Sequence, residues 1–456
     1  MSISSLTPVS AQRTGVLARH GERLRQALAQ VGSSRPSCTG FEPEFALPEW
    51  SDRLEAYFSV VDPRFHRLGQ VGGTDLVLFD LMANPGTRTG KTLASSVIVA
   101  RAVRHIDRTG EPIVILTPSS ANKATALREA VLRAYQVGLA DPDMLRIVTL
   151  VPDAAQPKLW SSALSEDPLL IAANPMCVLD KDHPDHVKTV ALQALTQCAD
   201  EVYTYTGTRL WHTLDLDNYR CADAVRAFVE HTDLPVTPGR VRWHAHAVSS
   251  AFGLLGHHFG STLLPESAPR PGYFLVQHLA TPDMVRSLHG IEAPEYRLDP
   301  ATGLHHQDEQ PRYPATTFDP GENLESTFYT RNPATSPRMN EIIAAQGGGG
   351  IVVSLHECLA RYGEVRTLLA RAGIAVPADP RALREWSVVM AMTGVLNGIE
   401  RGLVRADEVV VHASGSYDTG DFTPIPVRSL RRVSGVADLR TAILDATADL
   451  ALGRAA

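Results

Sequence analysis

The residues of this chain whose types and spacing could do chemistry gather around Lys91. Ahead of it, residues 75–82 (Asp-Leu-Val-Leu-Phe-Asp-Leu-Met) form a short apolar run, the pattern of a strand. Pro85, Gly86 and Gly90 interrupt regular structure across the next residues. From Thr92 onward, Leu93, Val97, Ile98, Ala100, Val103 and Ile106 recur at helical spacing. Lys91 is therefore predicted at a helix N-terminus on a turn of small residues, where the positive helix end favours a neutral amine. Two chemistries use such a lysine: clamping a phosphate, or attacking a carbonyl to form an imine.

Counting separates them. A nucleotide P-loop needs Gly, four residues, then Gly-Lys-Ser/Thr. Gly90-Lys91-Thr92 supplies the end, but the first glycine would fall at Pro85, which has no amide to offer. Gly86 stands one residue too close. Residues 113–118 nevertheless follow like the next strand of a nucleotide hydrolase, so an ATP-binding turn over residues 86–92 stands as an alternative. A solvated lysine at a helix start is the bland one.

The elements around Lys91 follow from pattern. The 456 residues, 44% of them apolar, make a globular chain with room for two or three lobes. The net charge of −7, without a basic run, disfavours nucleic acid as a partner. No apolar run is long enough for a membrane span, and no signal-peptide core opens the chain. Cys38, Cys177, Cys198, Cys221 and Cys358 are scattered, which fits a reducing cytoplasm and suggests neither a disulfide framework nor a zinc site. The pairs His244/His246, His257/His258 and His305/His306 lack a metal-binding spacing, so no metal is expected.

Strands are predicted at 111–118, 145–152, 169–173, 200–206, 240–248, 272–277, 351–354 and 408–413. Helices are predicted at 12–31, 123–135, 186–196, 222–230, 254–259, 356–372 and 383–401. This alternation argues for an α/β fold with parallel pairing, which binds ligands just beyond strand C-termini. Residues 119–122 (Ser-Ser-Ala-Asn), 249–253 (Ser-Ser-Ala-Phe-Gly) and Ser414 occupy such places. Residues 293–340 are aperiodic and read as an insertion or lid.

These segments resemble, in order over residues 75–420, those of threonine synthase and its relatives, the fold-type II pyridoxal-phosphate enzymes. There an Asn-Pro-Thr-Gly-Ser-X-Lys-Asp-Arg run carries the cofactor lysine. Here Asn84-Pro85 opens the run, one extra residue precedes Lys91, and Thr92-Leu93 replaces Asp-Arg. Residues 119–122 are similar to the family's Ser-Ser-Gly-Asn turn, with Ala121 for the glycine. Residues 145–152 followed by Lys158 resemble its strand ending in Val-Pro. The turn at 249–253 stands where a glycine-rich turn cups the cofactor phosphate, and residues 408–414 resemble its valine-rich strand ending in Ser-Gly.

The resemblance implies two open, twisted α/β lobes with mostly parallel sheets and a cofactor cleft between them. The large cofactor-binding lobe would take residues 73–105 and 200–430, and the small substrate lobe residues 106–199. Residues 1–72 would form a helix and loop-rich lead-in packed on the large lobe, and 431–456 a C-terminal helix. Pyridoxal 5'-phosphate would be carried by Lys91, also the catalytic base. Asn122 would meet the ring hydroxyl, Ser249, Ser250, Ala251, Phe252 and Gly253 the phosphate, and Ser414 the ring nitrogen. Thr87, Thr89, Ser119 and Ser120 would hold an amino-acid substrate. A neutral serine at the ring nitrogen implies β- or γ-elimination or replacement, in specialised or amino-acid biosynthesis, in the cytoplasm. A homodimer is among the assemblies it allows. Beside the ATP-binding reading, a catalytically inactive protein of the same fold is the other alternative.

Overall fold

The computed structural model describes residues 15–34, 40–180 and 186–454. Cys38, the first three residues of the expected N-terminal helix and the last two of the C-terminal one lie outside them. Two main sheets carry the fold. The larger orders Arg64–Val71, Thr74–Asp80, Glu408–Ala413, Arg242–Ala247, Gly272–His278 and Gly348–Val353, and only its first pair is antiparallel. The smaller is parallel throughout: Leu430–Val433, Met176–Leu179, Leu145–Pro152, Ile113–Pro118 and Arg209–His212. This is the expected α/β architecture.

The central strands of the larger sheet are buried on both faces, as parallel strands covered by helices must be. Alternate residues serve opposite cores. Val77, Phe79 and Val410 pack with Val97, Ile98 and Val103 of helix Lys91–Thr109. Leu76, Leu78, Val409 and Val411 pack instead with Val388, Met392 and Val395 of helix Ser387–Glu400. Helix Gly21–Ser34 adds Leu24, Ala27, Leu28 and Val31 to the first core, which also takes Ile113, Ile115, Leu145 and Ile147 from the smaller sheet. No helix among the described residues is long and apolar enough to cross a membrane.

Several sequence expectations are corrected. Residues 168–173 form helix Pro168–Ala173, not a strand; Asp167 caps it and Pro168 suits its first turn. A short apolar run cannot separate the two cases. Residues 200–206 are the last turns of helix His186–Thr206, whose Ala194, Cys198, Val202 and Thr206 line up on a buried face despite their β-branched neighbours. The next strand is therefore Arg209–His212, and it joins the smaller sheet, as does Leu430–Val433. The smaller sheet thus draws strands from outside residues 106–199. Residues 356–372 break at Arg361 into Leu355–Ala360 and Tyr362–Ala370, and the following helix begins only at Ser387. Most of the 347–350 glycine run lies inside strand Gly348–Val353: a Cβ on Gly348 would sit 1.9 Å from the Tyr273 carbonyl oxygen. The 293–340 segment holds a small antiparallel ribbon, Arg297–Asp299, Leu304–His306 and Thr316–Thr317.

Three neighbouring strands of the larger sheet end side by side. Asp80 pairs with Ala413, and Val411 with Ala245. The turns that follow carry Lys91, Ser414 and residues 249–253. Across from them, Ile113–Pro118 of the smaller sheet runs out into residues 119–122.

Candidate functional site

The turn before Lys91 is organised by Asn84. Its Oδ1 accepts from the Gly86 amide at 2.9 Å, and its carbonyl from the amides of Thr87 and Arg88 at 3.2 and 2.8 Å. The Thr89 amide meets Thr87 Oγ1, the Gly90 amide donates to the Ser414 carbonyl at 2.9 Å, the Lys91 amide meets Thr89 Oγ1 and the Thr92 amide the Thr89 carbonyl. Every amide from Gly86 to Thr92 is therefore engaged within the chain. A P-loop works by offering those amides to phosphate, so this turn cannot act as one. What it does instead is fix Lys91 as the first residue of its helix, beside Ser414.

Two other helix starts are built the opposite way. No hydrogen bond among the described residues engages the amides of Ser249, Ser250, Ala251, Phe252 or Gly253, ahead of and opening helix Phe252–Thr262. The same holds for Ser120, Ala121, Asn122 and Lys123 at helix Asn122–Gln136. Each is a nest of donors at a positive helix end, suited to an anion. Each holds an alanine in a left-handed torsion, φ 51° at Ala251 and φ 102° at Ala121. Such strain costs of order 1–3 kcal/mol per residue and clusters at ligand sites.

These segments line one cavity of about 620 Å³: Thr89, Gly90 and Lys91; Ser119, Ser120, Asn122 and Lys123; Val248 to Gly253; and Ser414. Residues Thr327 to Thr330 of the 293–340 segment close over it, with the Thr330 amide on Ser249 Oγ at 3.4 Å and Thr335 Oγ1 donating to the Ser250 carbonyl at 2.8 Å. Of the residues expected here, only Thr87 is not brought to the cavity. It is buried under the turn, its hydroxyl 2.6 Å from Thr92 Oγ1. Thr89 lines the cavity but donates its hydroxyl to the Ser414 carbonyl. Ser119 Oγ caps its helix, accepting from the Ala124 amide at 2.8 Å.

A family profile described as "Family of unknown function (DUF6002)" matches residues 12–447. The chain belongs to the DUF6002 family. No curated protein is matched by its sequence. Among solved structures, threonine synthase from yeast is 11% identical with a TM-score of 0.50, covering 86% of this chain and 82% of its own. Pyridoxal-phosphate-bound threonine synthase from Brucella melitensis is 12% identical, TM-score 0.49, covering 95% and 85%. L-serine ammonia-lyase from the fungus Rhizomucor miehei is 11% identical, TM-score 0.43, covering 83% and 97%. The fold of this DUF6002 member is thus the one it shares with yeast threonine synthase.

The cavity is electrostatically one-sided. Lys91, Lys123, Lys188, Arg220, Arg226 and Arg338 line it, and no carboxylate among the described residues does. Lys91 lies deep in the molecule yet faces open cavity space rather than packed atoms. Burial pushes its amine below the usual lysine range; Asp223 opposes this, Arg226 adds to it, and Glu385 opposes it. Lys123, 8% exposed, has no hydrogen-bond partner among the described residues. Burial, then Lys91 and Lys188, push it down to about 7. Both amines lie near the Tyr219 ring, 6.0 Å from its centroid for Lys91 and 5.4 Å for Lys123.

Asn122 is held from behind. Its Nδ2 donates to Glu385 Oε2 at 2.6 Å and its Oδ1 accepts from the Tyr417 hydroxyl at 2.7 Å. Lys158 links Glu385 to Glu325. The sequence reading placed Lys158 after its strand but missed both carboxylates, which come from distant segments. It also missed Lys123, although Lys123 directly follows Asn122 on a helix that the pattern predicts.

Proposed function

We propose that this protein is a pyridoxal-phosphate-dependent enzyme that carries out elimination or replacement on an amino acid. The observation that supports it is convergence: a lysine with a lowered pKa, two helix starts with unengaged amides and a neutral serine share one cavity. Lys91 would hold the cofactor, the 249–253 turn its phosphate, Asn122 its ring hydroxyl and Ser414 its ring nitrogen. The orphaned Lys123 amine and the donor nests are a set of groups that an anionic ligand would satisfy. When bound, pyridoxal phosphate supplies an electrophilic carbon and a ring that accepts electrons.

The residues of the chain supply the rest. The amides at 120–123 receive the substrate carboxylate. The Lys91 amine, its pKa lowered by burial, takes the proton from the substrate α-carbon. Ser414 would offer the ring nitrogen a neutral hydroxyl rather than a carboxylate, a partner that suits loss of a leaving group over transamination. Residues 327–330 exclude water. Arg220 and Arg338 already pair with Asp217 and Glu341, whereas the Lys123 amine, without a hydrogen-bond partner among the described residues, is placed to receive a second anionic group of the substrate, such as a phosphate ester leaving group.

The test is direct. Purified protein mixed with the cofactor should absorb at about 410–420 nm, and borohydride should fix one cofactor on the peptide containing Lys91. Lys91→Ala should lose both signals while staying folded. A protein that shows neither signal, or is labelled elsewhere, would overturn the assignment.

A further inference from the structure

Helix Phe252–Thr262 carries glycines on one face at Gly253, Gly256 and Gly260. A Cβ on Gly256 would sit 2.3 Å from Asp223 Cβ, and one on Gly260 2.2 Å from the Ala224 carbonyl oxygen. These glycines let the 223–226 segment approach to backbone contact. At Gly253 the missing side chain makes room for something else: its Cβ would lie 2.7 Å from Arg226 Nη1 and 2.9 Å from the guanidinium carbon. Gly253 has no positive φ. Its glycine is required by the guanidinium, not by the backbone.

Arg226 is 4% exposed, yet it lines the cavity beside the unengaged amides at 249–253. Its Nε donates to Asp223 Oδ1 at 2.8 Å, and its Nη2 lies 2.8 Å from the same oxygen. Its Nη1 lies 3.2 Å from His412 Nδ1. A guanidinium has five N–H groups and only donates, so two remain for a ligand.

The same rule fixes every proton in the cluster behind it. His412 Nδ1 accepts from Arg226, so the His412 proton is on Nε2 and goes to His244 Nδ1, 2.8 Å away. His244 then carries its proton on Nε2 and donates to Glu230 Oε1 at 3.1 Å. His257 Nε2 donates to Glu230 Oε2 at 2.8 Å, and its Nδ1 accepts from the Tyr273 hydroxyl. Arg242 closes the chain on Glu230 at 2.7 Å. The three imidazoles present nitrogens within 4.8 Å of one another, the spacing of a metal site. Here those nitrogens are engaged with one another, Arg226, Glu230 and Tyr273, and the cluster is a hydrogen-bond chain that runs from Arg226 to Glu230.

We propose that Arg226, held by Asp223 and by the His412–His244–Glu230 chain, is the clamp for the cofactor's phosphate. It adds a charged donor beside the unengaged amides of the 249–253 turn. The proposal rests on the cofactor reading above. Arg226 is a binding residue; His412 and His244 are positioning residues that act through it.

Equilibrium dialysis of the full chain with pyridoxal phosphate, and separately with phosphate-free pyridoxal, tests it. Arg226→Gln should weaken pyridoxal phosphate about 10- to 100-fold, the loss of charge-assisted contacts, and leave pyridoxal unchanged. Arg226→Lys, which keeps the charge, should recover part of the difference. Inorganic phosphate should compete with pyridoxal phosphate on wild type but not on Arg226→Gln. His412→Leu should lower the affinity ratio of the two aldehydes, and His412→Gln, which keeps an acceptor for Arg226, should restore it. Equal weakening of both aldehydes in Arg226→Gln, or no weakening, overturns the clamp. So does a wild type that binds both aldehydes equally while Lys91 is labelled, which leaves the cofactor reading standing. A wild type that binds neither overturns both.

Discussion

Lys158→Met should be among the most destabilising single changes in this chain. Lys158 is buried, with Nζ 2.5 Å from Glu325 Oε1 and 3.0 Å from Glu385 Oε2. Burial works against its charge, and the two carboxylates outweigh that and raise its pKa. Burial likewise pushes the Glu385 carboxyl up, but Lys158, Ser387 and Asn122 together hold it below its usual range. Other donors survive the substitution: the Thr327 amide and hydroxyl and the Trp386 amide on Glu325, and Asn122 and Ser387 on Glu385. None carries a charge. Removing one partner from a buried ionic group costs about 3–5 kcal/mol.

The pH dependence gives the effect a signature. In wild type the folded pKa of Glu385 is below its unfolded value of about 4.3, so its contribution is present above that value and lost as pH falls through the folded one. Burial and Glu385 already raise the Glu325 carboxyl in wild type; in the variant the two carboxyls share a dry site without Lys158, so one takes a proton and its folded pKa rises further. The folded variant then binds more protons than the unfolded chain, and it regains stability as pH falls through that raised pKa. The gap to wild type should be widest near pH 8 and close toward pH 5 by up to about 1.4 kcal/mol per pH unit. Urea unfolding followed by tryptophan fluorescence at both pH values measures it, with Trp160 and Trp386 flanking the network. A gap under about 1 kcal/mol at pH 8, or the same gap at both, would refute the reasoning.

Three further outcomes follow. Lys123→Met should make the cofactor-free protein more stable at pH 7, because a buried amine with no partner is removed; since the folded pKa of about 7 lies below the unfolded one, the advantage should shrink as pH rises toward 10, and thermal unfolding at pH 7 and 10 that shows no such convergence would count against it. Gly260→Ala should destabilise by at least about 1–3 kcal/mol, since its Cβ would meet backbone rather than a movable side chain; chemical denaturation within 0.5 kcal/mol of wild type, on the order of a surface change, would contradict the close helix contact. Residues 327–335 touch the cavity through Ser249 and Ser250, so limited proteolysis in 293–340 should slow when cofactor and an amino acid are added, and an unchanged cleavage rate would argue that the segment does not close.

How much of this was legible in the sequence depends on whether a feature is local. Lys91, Ser414 and the turns at 119–122 and 249–253 all follow strand ends, and a strand ending in a polar turn can be read from a dozen residues. The helix over 186–206 was misread because its last turns hold β-branched and aromatic residues, and only a partner surface decides which way such a run folds. The loop glycines show the limit most clearly. From sequence, a phosphate turn with a single glycine looks like a weakened one, because glycine is valued there for its backbone freedom. The structure separates freedom from room. Left-handed torsions fall on Ala121 and Ala251, which bear the strain. Gly253 sits in an ordinary helical turn and is glycine because the Arg226 guanidinium occupies the space of its side chain. The spacing of Gly253, Gly256 and Gly260 is visible in the sequence, but what passes beneath them is not. It comes from a separate helix whose position is set by a buried chain of hydrogen bonds. A reading that scores glycines by count will therefore undervalue any site in which a guanidinium stands beside the backbone amides.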